Sequence, residues 1–338
     1  MSIFGSENII TEHISKADLR AYFVSFDFDR FRLDELVDVL LDALVDFAFG
    51  YHKGILKNYN RKILREAAKS IYKIDVFEKA LQKYVQENSE FEDDLQDKYL
   101  KRGEFGELIL HLILRDFINT IPLISKIYFK DSDGVPVHGF DAVHIGPDLR
   151  NENINSIYFG ESKLYNNGKK GVIELLNDIE THFERNFLQR EFVLIGKKRN
   201  AFEKLEKYND KNTKEEYSAF LEQKEFWFDK LDDITERGGK LQKLFSSVTI
   251  PLLCTYTSEL FSKYSDEQDK NFLKEYEEEI RKLKGLFDKK FKEMQSKYKN
   301  SGQPIQSNLN IVVMLFPVPN KKELVKTLHQ KLSKIQEI

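Results

Sequence analysis

Glu161 and Lys163, in the run YFGESKLY (158–165), stand two residues apart in a segment that is otherwise apolar and aromatic. Side chains alternate across a strand, so these two share a face while Ser162 points the other way. A solvated strand carries such a pair as an ordinary ion pair; a buried strand carries it only where something else needs the charges. Twenty residues earlier, HGFDAVHI sets Asp141 between Phe140 and Ala142. Aspartate is depleted in strand interiors because its short side chain competes for backbone hydrogen bonds; taken alone, Asp141 reads as a turn residue after Gly139. A further acidic stretch, GEFGELILHLILRD, is apolar nearly all round, with one polar stripe of Glu104, Glu107, His111 and Arg115. A helix apolar on most faces is buried, so the stripe meets either solvent or a polar site, and by itself it reads as the solvent edge of a core helix.

Metal-assisted phosphodiester hydrolysis is the chemistry that uses such a set. Mg2+, or Mn2+ in its place, takes oxygen ligands, commonly one or two carboxylates with waters and phosphate oxygens. Asp141 and Glu161 on neighbouring strands supply the carboxylates in this reading, and the backbone carbonyl of Ser162 a further oxygen. Lys163 holds or activates the attacking water and offsets the charge building on phosphorus. A pure metal store has no use for that lysine.

These residues need elements to hold them. LRAYFVSFDFD (19–29) predicts an early strand. RLDELVDVLLDALVDFAFG has helical spacing and stops at Gly50, a C-terminal cap. NRKILREAAKSIYKI, DVFEKALQKYVQEN and the run around GEFGELILHLILRDFINT continue in helix. ISKIYFKDSDG, VHGFDAVHIG and NSIYFGESKLY are three β-like runs between turn residues, spaced as adjacent antiparallel strands. GVIELLNDIETHFERNF is helical, REFVLIGKK is an apolar run of either type, and about 200–245 is long, charged and helical. SSVTIPLLCTYTS is a second β region, and EYEEEIRKLKGLFDKKFKEMQSKYKN a charged helix. NLNIVVMLFPVP, continuous and apolar up to two prolines, reads as a buried central strand. KKELVKTLHQKLSKIQEI closes the chain as helix. An α/β (α+β) mixed sheet flanked by helices accounts for this order. It divides into a mostly helical region, 1–98, suited to partner docking, and a domain over 99–338 with a helical insertion at about 200–245.

The 338 residues suffice for a large core, and 41% hydrophobic content is that of a folded protein. A net charge of −3 advertises no polyanion partner, although a local basic patch is all that nucleic-acid binding needs. The single cysteine, Cys254, excludes an internal disulfide framework and a cysteine-based zinc site. MSIFGSENIITEH lacks the basic start and apolar run of a signal peptide, and runs such as IVVMLF fall far short of a membrane span. A soluble, cytoplasmic protein is expected.

The order helix acid, strand Asp, Glu-x-Lys resembles the PD-(D/E)xK nuclease superfamily, over roughly residues 100–190 together with the later strands and helices. The motif opens FD where the superfamily name has PD. RGEFGELILHLILRDFINTIPLISKIYFKDSDGVPVHGFDAVHI, with IYFGESKLY and GVIELLNDIETHF, is similar to the HamA family, the nuclease-like subunit of the Hachiman anti-phage system. The resemblance implies a restriction-endonuclease-like fold and a triad of Asp141, Glu161 and Lys163. A helix glutamate precedes the triad as a further metal ligand, either Glu104 or the more deeply placed Glu107. It also implies Mg2+ as cofactor, DNA as substrate and a superfamily 2 helicase partner of the HamB type that controls cutting.

Other candidates have plainer readings. His111, one turn after Glu107, reads as its i,i+4 partner, and His144 as an opposite-face residue relative to Asp141. Lys169 and Lys170, in YNNGKKG ahead of a helix, are either phosphate contacts or an exposed loop. GKKRN (196–200) and the basic stretch 281–299 read first as solvated faces and otherwise as a DNA-tracking surface. Trp227 reads as packing. The absence of a GxxxxGK[ST] loop leaves no evident ATP site, and Cys254 in an apolar run reads as buried. Two other functions fit the same residues: a catalytically silent nuclease-fold module that binds DNA or the helicase, and a stand-alone restriction-type endonuclease, for which no base-reading element is evident.

Overall fold

The computed structural model describes residues 3–50, 61–71, 103–126, 139–182, 185–196, 199, 211–235, 244, 246–300 and 309–337. Near the start, β1 (Ile10–Ser15) and β2 (Leu19–Val24) pair antiparallel. β2 is the predicted early strand. β1, ITEHIS, is polar because it is an edge strand with only Ile10 buried, so it carries no apolar alternation to read. The small hairpin of β3 (Phe26–Asp27) and β4 (Arg30–Phe31) leads into α1 (Leu33–Asp42) and α2 (Leu44–Phe49). One helix was expected here; it divides at Ala43 and ends, as expected, at Gly50 with φ 90°. α3 (Arg61–Ile71) follows, and the predicted helix DVFEKALQKYVQEN lies outside the described residues.

α4 (Glu104–Asp116) is the predicted apolar helix. Its terminal Asp116 accepts hydrogen bonds from the backbone N–H groups of Ile3, Phe4 and Ser6 and from the Ser6 hydroxyl. β5 (Ile121–Ile124), β6 (Ala142–Asp148) and β7 (Asn151–Tyr165) form the expected antiparallel meander. The first of these strands lies upstream of the run ISKIYFKDSDG, most of which falls outside the described residues. α5 (Gly168–His182) and α6 (Arg185–Gly196) follow, so REFVLIG is helix. α7 (Lys211–Thr235), β8 (Val248–Thr257), α8 (Leu260–Lys263), α9 (Lys270–Asn300), β9 (Asn310–Val318) and α10 (Lys321–Glu337) complete the order.

The seven strands of the main sheet run β1-β2-β9-β8-β7-β6-β5, parallel from β2 through β7 and antiparallel at both flanks. β9, the continuous apolar run, is central and buried almost throughout, as a parallel strand covered on two faces must be. Leu36, Leu40, Ile109, Leu112 and Leu328 of α1, α4 and α10 pack against Tyr158 and Met314 on one face. Val172, Leu175, Phe192, Trp227, Phe272 and Tyr276, from α5, α6, α7 and α9, pack against Phe159, Cys254 and Val313 on the other.

Two glycines set how closely the helices clasp β7 and β8. A β-carbon on Gly106 of α4 would stand 3.1 Å from Ser162 Oγ, and one on Gly171 of α5 would stand 2.5 Å from Cys254 Sγ. Among the described residues no helix is long and apolar enough to cross a membrane.

Candidate active site

Asp141 stands at the entrance to β6, where Ala142 is paired with Gly160 and the Asp141 N–H donates to the Gly160 carbonyl at 2.9 Å. Its side chain reaches β7: Oδ2 accepts from the Ser162 N–H and the Ser162 hydroxyl, both at 2.8 Å. A carboxylate bound this way is fixed in orientation. Burial raises its pKa, and the two Ser162 bonds and Lys163 pull back only part of that shift.

Glu161 and Lys163 share a face, as alternation requires, and that face meets α5. Glu161 is buried, with Oε1 2.6 Å from His182 Nδ1. Burial, then the charges of Asp141 and Asp178, push its pKa well above the ordinary range. Lys163 Nζ lies 2.5 Å from Asp178 Oδ2. Burial works against its charge, but Asp178, with Asp141 and Glu161 behind it, more than offsets that, and the pKa rises. The His182 ring is stacked on Phe187 with centroids 4.6 Å apart and meets Phe140 edge-on at 6.0 Å. Sequence reasoning did not single out Asp178 or His182. Their i,i+4 spacing in LLNDIETHF was the available signal, since it puts both on one helix face.

Glu107 closes the group from α4. It is buried and ion-paired with Lys126, another residue that sequence reasoning passed over. Burial and then Asp141 push its pKa up to about 7, against the pull of Lys126. Its charge also acts on Glu161, so Glu107 is the helix acid in electrostatic contact with both strand acids. Glu104, in the same first turn, is part-exposed and acts on Glu107 more weakly than Asp141 does.

The rest of the α4 stripe corrects two expectations. It is no solvent edge, for Glu107, His111 and Arg115 are all buried. Nor is His111 the partner of Glu107: its Nε2 lies 3.0 Å from Asp46 Oδ2 and its Nδ1 3.2 Å from His144 Nε2. Arg115 Nε donates to the same Asp46 oxygen at 2.8 Å, and His144 Nδ1 lies 2.8 Å from Thr120 Oγ1. Burial holds both imidazoles below their usual pKa, hence neutral, while Arg115 and His111 together overcome the burial of Asp46 and keep it ionised. His144 thus faces α4, but it lines one small cavity with Asp141, so the two are not parted onto opposite faces as alternation led one to expect. A polar row whose members bond one another needs little solvent, which is how the stripe can lie inside.

Lys169 and Lys170 are exposed on the first turn of α5, where Asn167 Oδ1 accepts from the Lys170 N–H at 3.1 Å. At 1.5 Å per residue they stand about 12–14 Å along the helix from Asp178, away from the carboxylates. Among the described residues, no three His, Cys, Asp or Glu side chains converge into a ready-made metal cage.

A family model, HamA, matches residues 2–332 of the 338. The chain belongs to the HamA family. The HamA match runs through all nine strands of the described residues and through every residue of the site just described, and it makes the chain a component of Hachiman defence. No curated protein matches it.

Proposed function

We propose that this HamA-family chain is a metal-dependent DNA nuclease on the PD-(D/E)xK plan, the effector of its Hachiman complex. It cuts phosphodiester bonds with little sequence specificity in the cytoplasm, under control of a superfamily 2 helicase partner of the HamB type. The helices within residues 1–98 offer that partner a docking surface, while the catalytic residues come from 99–338 and β1 and β2 complete their sheet. One observation carries the reading: the buried Glu107 and Glu161 and the half-buried Asp141 act on one another electrostatically beside β7, with Lys163 on the Glu161 face. Acids that raise one another's pKa have too little positive charge beside them, even with Lys126 and Lys163, and a divalent cation is what lets them ionise together.

An oxygen-only donor set suits Mg2+, or Mn2+, better than a softer metal. Asp141 and Glu161 would hold it. A residue's N–H and C=O leave a strand on the same side, so the Ser162 carbonyl projects from the edge where its N–H meets Asp141, available as a third oxygen. Glu107 supplies the helix carboxylate. When bound, the metal polarises a phosphate oxygen and lowers the pKa of a ligated water. Lys163 sets its ammonium against the phosphate charge that grows as the bond breaks, and the Ser162 bonds hold Asp141 in place meanwhile.

A second reading, a catalytically silent module that binds DNA or the helicase, draws on a different observation. Lys126 and His182 already sit on Glu107 and Glu161, so two of the acids have a side-chain partner without a metal. Incubating the purified chain with supercoiled and linear DNA, with Mg2+ or chelator, beside the Glu161→Ala/Lys163→Ala variant separates the two. Metal-dependent degradation absent from the variant is expected. Glu161→Ala that still cuts in chelator overturns the nuclease reading. A folded wild-type chain that leaves DNA intact even with its helicase partner present establishes the silent module.

A further inference from the structure

We propose that Asp178 and His182 are positioning residues of this site, His182 for the Glu161 carboxylate and Asp178 for the Lys163 ammonium; the proposal rests on the nuclease reading above. Glu161 and Lys163 are about 7 Å apart along β7, two residues of strand rise. Asp178 and His182 are about 6 Å apart along α5, one helical turn. The two ladders match in pitch and run in opposite directions, so Glu161 meets His182 while Lys163 meets Asp178. α5, returning along the sheet after β7, is thereby registered on the Glu-x-Lys pair by both of its charges.

Each contact removes a specific freedom. His182 Nδ1 engages Oε1 of Glu161 at 2.6 Å, which leaves the second oxygen to face the site. Phe187 against the ring face and Phe140 at its edge fix the imidazole plane. Phe140 also directly precedes Asp141, so one aromatic packing sets both carboxylates. Partners of this kind orient ligating groups, and their loss typically weakens metal binding about 10–100-fold. Lys163 has a flexible four-carbon stem, and the acids acting on its ammonium are Asp178, Asp141 and Glu161. Without Asp178, the acids that act most strongly on that ammonium are the two carboxylates that would hold the metal. Asp178 therefore keeps the ammonium beside those carboxylates without letting it occupy them.

Mn2+ titration of the full chain, followed by the electron paramagnetic resonance signal of free Mn2+, tests this without DNA or turnover. His182→Phe keeps the ring packing and loses the donor; about tenfold or greater weakening of Mn2+ binding is expected. His182→Asn restores a donor near the Nδ1 position and should bind within a few-fold of wild type. Asp178→Asn should also weaken Mn2+ binding, and Lys163→Met added to it should recover the loss, because the competing ammonium is gone. Wild-type affinity in folded His182→Phe, or a double variant no better than Asp178→Asn, overturns the proposal while leaving the nuclease reading intact. If wild type binds Mn2+ no better than Glu161→Ala, the nuclease reading falls and the proposal with it.

Discussion

Burial and the charge of Asp141 raise the Glu107 carboxyl to about 7, and the sign of that shift has a consequence for the metal-free chain. An unfolded glutamate loses its proton near pH 4.3. Between about 4.3 and 7 the folded state therefore binds more protons than the unfolded state, and stability falls as pH rises through that window. Asp141 and Glu161, raised as well, add to the same slope. In chelator, melting temperature is expected to drop between pH 5.5 and 7.5 by more in wild type than in Glu107→Gln. Mg2+ added at pH 7.5 should recover part of the drop in wild type. Equal slopes in the two chains would mean that Glu107 does not hold its proton in the fold. The same scale decides Asp46: Asp46→Ala removes the carboxylate oxygen that the buried Arg115 Nε and His111 Nε2 share. A loss of about 3–5 kcal/mol is expected for removing one partner of a buried ion pair, read by urea denaturation. A loss below about 1 kcal/mol would place those side chains in water.

The clasp of α4 on β7 is a matter of elements. Gly106 lets the helix approach until a β-carbon there would stand 3.1 Å from Ser162 Oγ, and that hydroxyl holds Asp141. Gly106→Ala should therefore fold with a loss of about 1–3 kcal/mol, the usual range for overpacking, and should weaken Mn2+ binding through Ser162 and Asp141. Denaturation together with Mn2+ titration checks both halves, and unchanged metal binding would uncouple the α4 approach from the site. Much of this element was legible beforehand. An apolar surface broken by one stripe is a local pattern, and it located a buried helix carrying an acid. Whether the stripe met solvent was not legible, because Asp46 and His144, which satisfy it, lie 65 and 33 residues away from His111.

At the scale of the whole molecule, β1 and β2 belong to the same sheet as the site, although they come from the first 24 residues. β2 covers the edge of β9, an apolar strand but for Asn310. Deleting residues 1–24 uncovers that edge, and an unpaired apolar strand is a template for association. The truncated chain is expected in the insoluble fraction, or as aggregate in solution by light scattering. A monomeric truncated chain whose Trp227 emission stays that of a buried indole would show the first two strands to be dispensable, since Trp227 is fully buried on the opposite face of the sheet from α4.

The sequence alone determined the features that depend on neighbours along the chain. Alternation put Glu161 and Lys163 on one face, the unbroken apolar run fixed β9 as a central strand, and turn residues divided the meander. Tertiary structure decided everything that depends on which groups meet. It made Glu107 rather than Glu104 the acid facing Asp141 and Glu161, gave Lys126, Asp178 and His182 their partners, turned REFVLIG into helix, and paired polar β1 at the edge. The physical reason is range. Periodicity is set by bond geometry within a few residues, whereas the neutralisation of a buried charge depends on whichever group the fold brings within about 3 Å of it.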